Sequence, residues 1–469
     1  MRFFTLNYLK KLFNEFLIAI QGKEKNFTDG NIKRAIFMLS VPMILEMVME
    51  SLFAVVDVFF VSKVSVDAVA VVGLTESVLT LIYAIGMGLS LGATAMISRR
   101  IGEKDERAAS HAAGQIISLT MIICLTIGVF GLIYAKNILL LMGAEEALAE
   151  SGLIYIQWML GGNITILFLF LINAIFRGAG DASLAMRVLW VSNGINLILD
   201  PCLILGLGPF PNLGLEGAAM ATNIGRGVGV LIQIYALTSN RSVIKIKLKD
   251  FILEKTLVLR LIKLSTGGTV QFMIGSASWV FMVRIISTFG SDAVAGYTIA
   301  FRIIMFTILP SWGVANAAAT LVGQNLGAEK PDMAEKAVWL ASFYNMIFLG
   351  LISALFFIRA NDFVSIFTSE PQVVSQATLS LKIICCGYIF FAYGMVISQS
   401  FNGAGDTFTP TLINFICYWL VQIPLAWFSS VYFGFGAAGV YFAIAFSLSL
   451  LAIISIILFR QGKWKKVMV

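Results

Sequence analysis

Long apolar blocks fill most of this sequence and constrain its fold more than any other feature. They run for roughly 20 to 28 residues, the length that a helix needs to cross a bilayer. Barrel strands would instead alternate polar and apolar residues over about ten positions. With 59% hydrophobic and 13% charged residues in 469, the chain has too much apolar surface for a water-soluble fold. We therefore predict an all-α membrane protein, because lipid offers backbone groups no hydrogen-bond partners.

Charged residues, glycines and prolines divide the apolar sequence into twelve predicted transmembrane helices. These spans cover residues 34–61, 69–97, 110–135, 152–176, 184–207, 215–238, 258–287, 293–322, 335–358, 377–401, 408–430 and 435–459. Before them, residues 1–30 place apolar side chains on one helical face. This pattern predicts an amphipathic helix at the membrane interface.

The distribution of positive charge predicts the orientation. The N-terminal tail up to Arg34, the even-numbered loops and the C-terminal tail together hold 26 of the 33 lysines and arginines. Cytoplasmic loops of membrane proteins carry such an excess. We therefore expect a multi-pass protein of the plasma (inner) membrane with both termini in the cytoplasm.

The sequence also contains an internal duplication. Shifting the sequence by 225 residues aligns Asp67 with Asp292 and Gly178 with Gly403, and this register holds across some 140 residues without a gap. Each repeat holds six spans and therefore inserts with the same orientation, which gives parallel repeats. We predict an N-lobe at 31–238, a basic cytoplasmic linker at 239–256 and a C-lobe at 257–469 that ends in a basic tail. Two such six-helix lobes around a central cleft are typical of transporters.

Several function classes are excluded by what the sequence lacks. It has no GxxxxGK[ST] motif, so ATP bound through a P-loop cannot supply energy. The single histidine, His111, has no HExxH motif around it, and we expect neither an enzyme nor a cofactor. The basic residues lie between apolar blocks rather than on a soluble face, so nucleic acid is not an expected partner.

Acidic residues inside the first span are candidates for a substrate cavity. Glu46, Glu50 and Asp57 are spaced by four and seven residues, which places them on one helical face. Charges within a membrane are costly and usually functional. A single carboxylate could be a capping group, but three on one stripe indicate the wall of a cavity.

A second set of polar residues falls in the fifth and sixth spans. Asn196 and Asp200 share a helical face, and Pro201 follows directly and removes a backbone donor. With the hydroxyl of Thr222, this set predicts an all-oxygen site for a hard cation or a proton. The alternative is a polar cluster that only packs helices together.

These motifs resemble the multidrug and toxic compound extrusion family of transporters across nearly the whole chain. The resemblance rests on SVPMILEMVMESLFAVVDVFFVSKV in the first span, on RGAGD, NLILDPCLILGLGP and GLEGAAMATNIGR, and on AGYTIAFRI and GQNLGA in the second repeat. It implies twelve helices in two lobes. It also implies export of cationic or amphipathic drugs or metabolites in exchange for sodium ions or protons, without a cofactor.

The resemblance also implies residue roles. The pattern for a coupling cation or proton in the N-lobe matches at Asp57, Asn196, Asp200, Thr222, Ala218 and Asn173, of which Asp57, Asn196, Asp200 and Thr222 would hold Na+. Pro42 falls where such members bend the first helix. The glutamate that other members carry in the seventh span is missing, and Gln271 is the nearest cavity candidate there.

The sequence leaves other interpretations open. A lipid-linked oligosaccharide flippase of the same superfamily is the alternative function, although such proteins often line the cleft with basic residues. A channel or a receptor-like sensor is a third interpretation. The chemistry of the carboxylates does not decide between sodium and protons, nor does it name the substrate. We expect small cationic or amphipathic substrates and membrane lipids as partners, and a monomer.

Overall fold

The computed structural model of this protein describes residues 6–24, 27–61, 63–239 and 241–467, and over these residues the chain is helical, with no β-strand. The α-helices are α1 Leu6–Gln21, α2 Ile32–Val61, α3 Val66–Gly102, α4 Glu106–Leu141, α5 Glu146–Ser151, α6 Leu153–Gly161, α7 Asn163–Gly178, α8 Ala182–Leu205, α9 Gly214–Thr238, α10 Lys255–Ile286, α11 Ser291–Gly327, α12 Pro331–Ser365, α13 Pro371–Cys385, α14 Tyr388–Ala404, α15 Phe408–Asn414, α16 Ile423–Trp427 and α17 Ala437–Arg460.

Short segments of other helix types complete the fold. Single 3-10 turns lie at Leu248–Phe251, Ser287–Phe289 and Lys463–Lys466. Two π-helical segments, Phe415–Gln422 and Phe428–Tyr432, alternate with α15 and α16, so that one long helix runs from Phe408 to Tyr432.

The described helices confirm the predicted fold class. Nine helical segments are long and apolar enough to cross a membrane, and the bent pair α13 and α14 makes a tenth. The long helices α2 and α9 occupy the two remaining predicted spans. The protein therefore has twelve spanning helices arranged as two lobes.

The helices extend beyond the predicted spans because their ends are polar. The prediction for α3 ended at residue 97, whereas the helix continues to Gly102. The side chain of Ser65 caps α3 by accepting a hydrogen bond from the amide of Ala68, and Asp105 caps α4 through the amide of Ala108. Hydropathy detects only the apolar middle of such helices.

Two predicted spans are broken, at equivalent places in the two repeats. The fourth span is interrupted at Gly162, between α6 and α7. The tenth span bends by 58° at Cys386 and Gly387, between α13 and α14. Gly387 is the repeat equivalent of Gly162. The duplication therefore preserved this irregularity of the backbone.

The same offset relates the tight turns. Over the described residues, the non-glycine residues with positive φ are Lys104, at 61°, and Glu329, at 58°. They are repeat equivalents of each other and follow α3 and α11 respectively. Gly180 and Gly405, also equivalent, have φ of 85° and 90° in the two GAGD turns. Residues without a Cβ penalty suit this conformation best, so the strained Lys104 and Glu329 reflect a shared backbone geometry.

The chain packs as two compact units. One contains Leu45–Thr269 with Gln21–Lys25, and the other contains Val270–Val469, Asn26–Ile44 and Met1–Ile20, as far as these residues are described. The changes from one unit to the other lie inside α2 and inside α10. The domain limits predicted from the sequence remain a prediction, since they follow the repeats rather than this packing.

The linker after α9 is held against α4 by a buried carboxylate. Asp250 is fully buried and pairs with both terminal nitrogens of Arg107. It also accepts a hydrogen bond of 2.8 Å from the amide of Lys247. Hydrogen bonds from Arg107 hold the pKa of Asp250 at about 2, below its ordinary value, although burial alone would raise it.

The single histidine adds to this attachment. The two ring nitrogens of His111 lie 3.3 Å from a carboxylate oxygen of Asp250 and 3.2 Å from one of Glu254. Gln115 donates hydrogen bonds to the carbonyls of Asp250 and Ile252. The linker is therefore an ordered element of the fold rather than a simple tether.

Candidate functional site

The predicted oxygen site forms between α8 and α9. The side-chain amide of Asn196 donates to Asp200 Oδ1 at 3.2 Å and to the hydroxyl of Thr222 at 3.3 Å. All three side chains are buried. Asn196 and Asp200 meet because a spacing of four residues places them one above the other on α8. The structure therefore joins three of the predicted site residues in one cluster.

This cluster has acceptor atoms that the protein does not satisfy. Asp200 Oδ2 and Asn196 Oδ1 are buried and lack a hydrogen-bond partner within the described residues. Pro201 cannot donate to the carbonyl of Leu197, one turn earlier. Unpaired buried oxygens cost free energy. Such a set is suited to a cation or a proton that enters from outside the protein.

Asp57 lies at the edge of the cluster. It is half-buried on α2, and its charge is close enough to interact with that of Asp200. No hydrogen bond joins Asp57 to Asn196, Asp200 or Thr222 in the structure as described. Ala218, the predicted carbonyl donor, is buried one turn before Thr222 on α9. The charges of Asp57 and Asp200 thus interact, but no hydrogen bond joins the two side chains.

Asn173 belongs to a different network. Its amide donates to Glu46 Oε1 at 3.2 Å, and its own carbonyl oxygen accepts from Gln233 at 2.8 Å. The predicted grouping of Asn173 with Asp200 is therefore absent from these hydrogen bonds. Asn173 is buried on α7, several turns from the broken end of that helix.

Glu46 is paired with a residue that the sequence did not indicate. Arg177 Nη1 lies 2.6 Å from Glu46 Oε1, and Glu46 is only 1% exposed. A buried carboxylate that already has a guanidinium partner is poorly placed to bind cationic cargo. Of the two glutamates predicted to line a cavity, Glu46 instead forms a buried ion pair.

Glu50 remains accessible and lies near a second buried arginine. It is half-buried, and its carboxylate accepts a hydrogen bond of 3.0 Å from Asn193. Arg226 on α9 is 5% exposed, stacks over Phe53 at 5.4 Å, and its charge interacts with those of Glu50 and Glu76. Asn193 lies one turn before Asn196, and Arg226 lies one turn after Thr222. This spacing is the sequence signal that could have assigned both residues to the site.

The remaining two candidates lie in the other unit. Pro42 is buried within α2, which continues through it as a helix. Gln271 on α10 donates to the hydroxyl of Ser398 at 3.5 Å, and its carbonyl oxygen is buried without a partner. Neither residue belongs to the carboxylate cluster, which lies in the unit that contains Leu45–Thr269.

With this geometry established, comparisons with known proteins identify the family. The MatE family model matches residues 42–202 and 269–428, one segment in each repeat. The chain belongs to this family of multidrug and toxic compound extrusion transporters. It is accordingly a membrane transporter of the multidrug efflux type and not an enzyme.

Individual relatives agree over most of their length. The probable multidrug resistance protein NorM of Thermotoga maritima is 26% identical over 93% of this chain and 94% of its own. The multidrug export protein MepA of Staphylococcus aureus is 23% identical over 92% and 94%. A solved outward-facing MATE family transporter of the MOP superfamily superposes with a TM-score of 0.89 at 27% identity, covering 95% of this chain and 99% of that one.

Proposed function

We propose that this protein is a secondary active antiporter that exports cationic or amphipathic drugs or metabolites in exchange for H+ or Na+ by alternating access. One observation carries the proposal. Asp200 and Asn196 each keep a buried oxygen without a partner, and the cluster lies beside a second carboxylate, Asp57. No guanidinium or ammonium group forms a hydrogen bond within the cluster as described.

The coupling ion would act as a substrate of this cluster. Two carboxylates in a poorly solvated site repel each other, and a cation between them removes that repulsion. The carboxylates of Asp57 and Asp200, the amide oxygen of Asn196 and the hydroxyl of Thr222 are hard oxygen ligands that suit Na+. A proton shared by the carboxylates would have the same electrostatic effect.

Cargo and ion would favour opposite states of the transporter. Loading the cluster neutralises it, and the first helix can then bend at Pro42, where an amide donor is missing. Glu50 is the proposed cargo contact, because Glu46 is already paired with Arg177. Each ligand then shifts one conformational equilibrium in its own direction, which couples their movements.

The same proposal includes location and partners. We place the protein in the plasma (inner) membrane, as a monomer with both termini and the linker in the cytoplasm. The positive charges support this orientation. The flippase alternative is not favoured, because the unit that contains Leu45–Thr269 does not have a basic interior over its described residues. Its carboxylates Glu50, Asp57 and Asp200 outnumber its inward-facing arginines, Arg177 and Arg226.

Transport by the purified protein in proteoliposomes tests the proposal. Ethidium is loaded inside, and either a proton gradient or a sodium gradient is imposed while the other is held at zero. We expect ethidium to move in the direction opposite to the ion flow that one of these gradients drives. Ethidium movement that ignores both gradients would contradict antiport.

A further inference from the structure

The first helix of each repeat is shared between the two compact units. In α2 the change from one unit to the other falls between Ile44 and Leu45, and in α10 it falls between Thr269 and Val270. Thr269 is the repeat equivalent of Ile44, so the two changes fall at the same place in the duplication. The first part of α2 therefore packs with the second repeat, and the first part of α10 packs with the first repeat.

A glycine fixes each of these exchanged segments. A Cβ at Gly88 of α3 would lie 2.7 Å from the amide nitrogen of Thr269 and would also clash with the carbonyl of Ser265. A Cβ at Gly313 of α11 would lie 2.7 Å from the amide nitrogen of Ile44. Gly313 is the repeat equivalent of Gly88. At both places two helix backbones touch, with no room for a side chain.

Both shared helices are weakened just before the change of unit. Pro42 cannot donate the hydrogen bond to the carbonyl one turn earlier in α2. Its repeat equivalent in α10 is Gly267, which is followed by Gly268. Two adjacent glycines lower helix stability relative to alanine. Each helix therefore bends most easily within one turn of the position where its packing partner changes.

We propose that α2 and α10 are paired hinges, at residues 42–45 and 267–270, and that Gly88 and Gly313 are their pivots. During alternating access the first part of each helix travels with the helices of the opposite repeat. Gly88 and Gly313 are positioning residues, since they act through the helices they hold. This proposal rests on the alternating access proposed above and adds to it a second hinge and the exchange of helix segments.

Close packing alone does not define these pivots. A Cβ at Gly403 would lie 2.7 Å from the Cα of Ala319, and one at Gly217 would lie 2.6 Å from the carbonyl carbon of Leu203. Those contacts are as tight, but both partners belong to the same repeat and lie far along the chain from residues 42–45 and 267–270. Gly403 is therefore a matched control for a purely structural role.

Spin-label distances test the exchange directly and require no transport. Labels replace the exposed residues Lys33 on α2, Arg260 on α10, Glu106 on α4 and Lys336 on α12 in a variant without its native cysteines. The protein is held in nanodiscs at pH 5 and pH 8, with and without ethidium. Distances are measured by double electron–electron resonance.

The proposal predicts which pairs move. The label distances should stay constant for Lys33 to Lys336 and for Arg260 to Glu106, because each pair lies in one unit. The label distances should change with pH or ethidium for Lys33 to Glu106 and for Arg260 to Lys336. The proposal is overturned if α2 and α10 keep fixed distances to their own repeats, or if no pair changes. Loss of ion coupling alone would leave this pattern intact, so the two proposals can fail separately.

Glycine substitutions then separate pivot from packing. Gly88→Ala and Gly313→Ala should suppress the distance changes by at least half, whereas Gly403→Ala should lower the melting temperature and leave them in place. Gly73→Ala, with open space around it in α3, should do neither. If a pivot variant does not fold, Gly267→Ala stiffens α10 instead and should suppress the same changes. Equal behaviour of Gly313→Ala and Gly403→Ala would refute a pivot.

Discussion

The two repeats share a backbone geometry and a side-chain contact between their first and fourth spans, but they differ in charge. In the first repeat Asn173 donates to Glu46 at 3.2 Å. At the equivalent positions in the second repeat, Gln271 donates to Ser398 at 3.5 Å. The same contact between the first and fourth spans thus persists, while the carboxylate has become an amide.

The other polar residues show the same contrast. Asp57, Asp200, Glu50 and Arg177 correspond to Met282, Leu425, Gly275 and Asn402. Met282 is 1% exposed within a hydrophobic cluster against which Leu425 packs. The fold therefore does not need these charges. Because charges inside a membrane are costly, their presence in only one repeat supports the proposal that ion coupling takes place in this repeat.

The largest expected effect distinguishes the repeats by their carboxylates. Asp57→Asn and Asp200→Asn should each lower gradient-driven ethidium flux by about 100-fold or more, because either change removes a proposed ligand of the coupling ion. The double variant should be little worse than either single one, since the two residues act together.

The matched controls for these variants are Met282→Leu and Leu425→Met in the second repeat. Swaps that conserve volume cost little, so flux should stay near that of the wild type. Flux is measured in proteoliposomes. Normal gradient-driven flux in Asp57→Asn would show that Asp57 is not part of the coupling site.

The next effect concerns the buried ion pair. Arg177→Met leaves Glu46 buried without its guanidinium and should destabilise the protein by about 3–5 kcal/mol. The double variant Glu46→Gln with Arg177→Asn copies the second repeat and should recover most of that loss. Thermal unfolding in detergent gives both values. An Arg177→Met protein that melts like the wild type would show that Glu46 is not held as a charge.

A smaller and more selective effect should follow from Glu50→Gln. Loss of a charged contact should weaken binding of cationic ethidium by about tenfold, equivalent to about 1.4 kcal/mol, and leave binding of a neutral dye unchanged. Gly275→Ala is the control at the equivalent position, where a Cβ meets open space. Equal loss for both dyes would assign Glu50 a role in folding or gating.

The smallest effect lies outside the membrane. Because the pKa of Asp250 is lowered to about 2, its ionised form stabilises the docked linker above the ordinary pKa of about 4. That contribution is lost as the pH falls from about 4 to about 2. At neutral pH, Asp250→Asn should speed tryptic cleavage of the linker about tenfold, and Glu254→Gln should have less effect. Unchanged cleavage of Asp250→Asn would contradict this docking.

Hydropathy and the duplication predicted much of the fold, because they depend on local composition. Every predicted span overlaps a described helix. The breaks at Gly162 and Gly387 were not predicted, since glycine is common within spans and only packing shows which ones interrupt a helix. The docking of the linker through Asp250 was also not predicted, because Asp250 and its partner Arg107 are far apart in the sequence.

The site was predicted where its residues are close in sequence. Asn196 and Asp200 share a helical turn, so their spacing indicated their contact. Arg177 pairs with Glu46 from a distant helix, and no local spacing indicates that contact. The functional roles of these residues remain predictions. What the structure adds is the separation of the polar residues into an ion pair at Glu46 and an oxygen cluster at Asp200.

The central claim is that one repeat alone exchanges ion for cargo, and release of the ion on cargo binding tests it most directly. Ethidium is added to the protein in weakly buffered nanodiscs while protons and sodium are monitored. The wild type and Gln271→Leu should release the coupling ion when ethidium binds, and Asp200→Asn should bind ethidium without release. Ion release that persists in Asp200→Asn, or disappears in Gln271→Leu, would contradict the account.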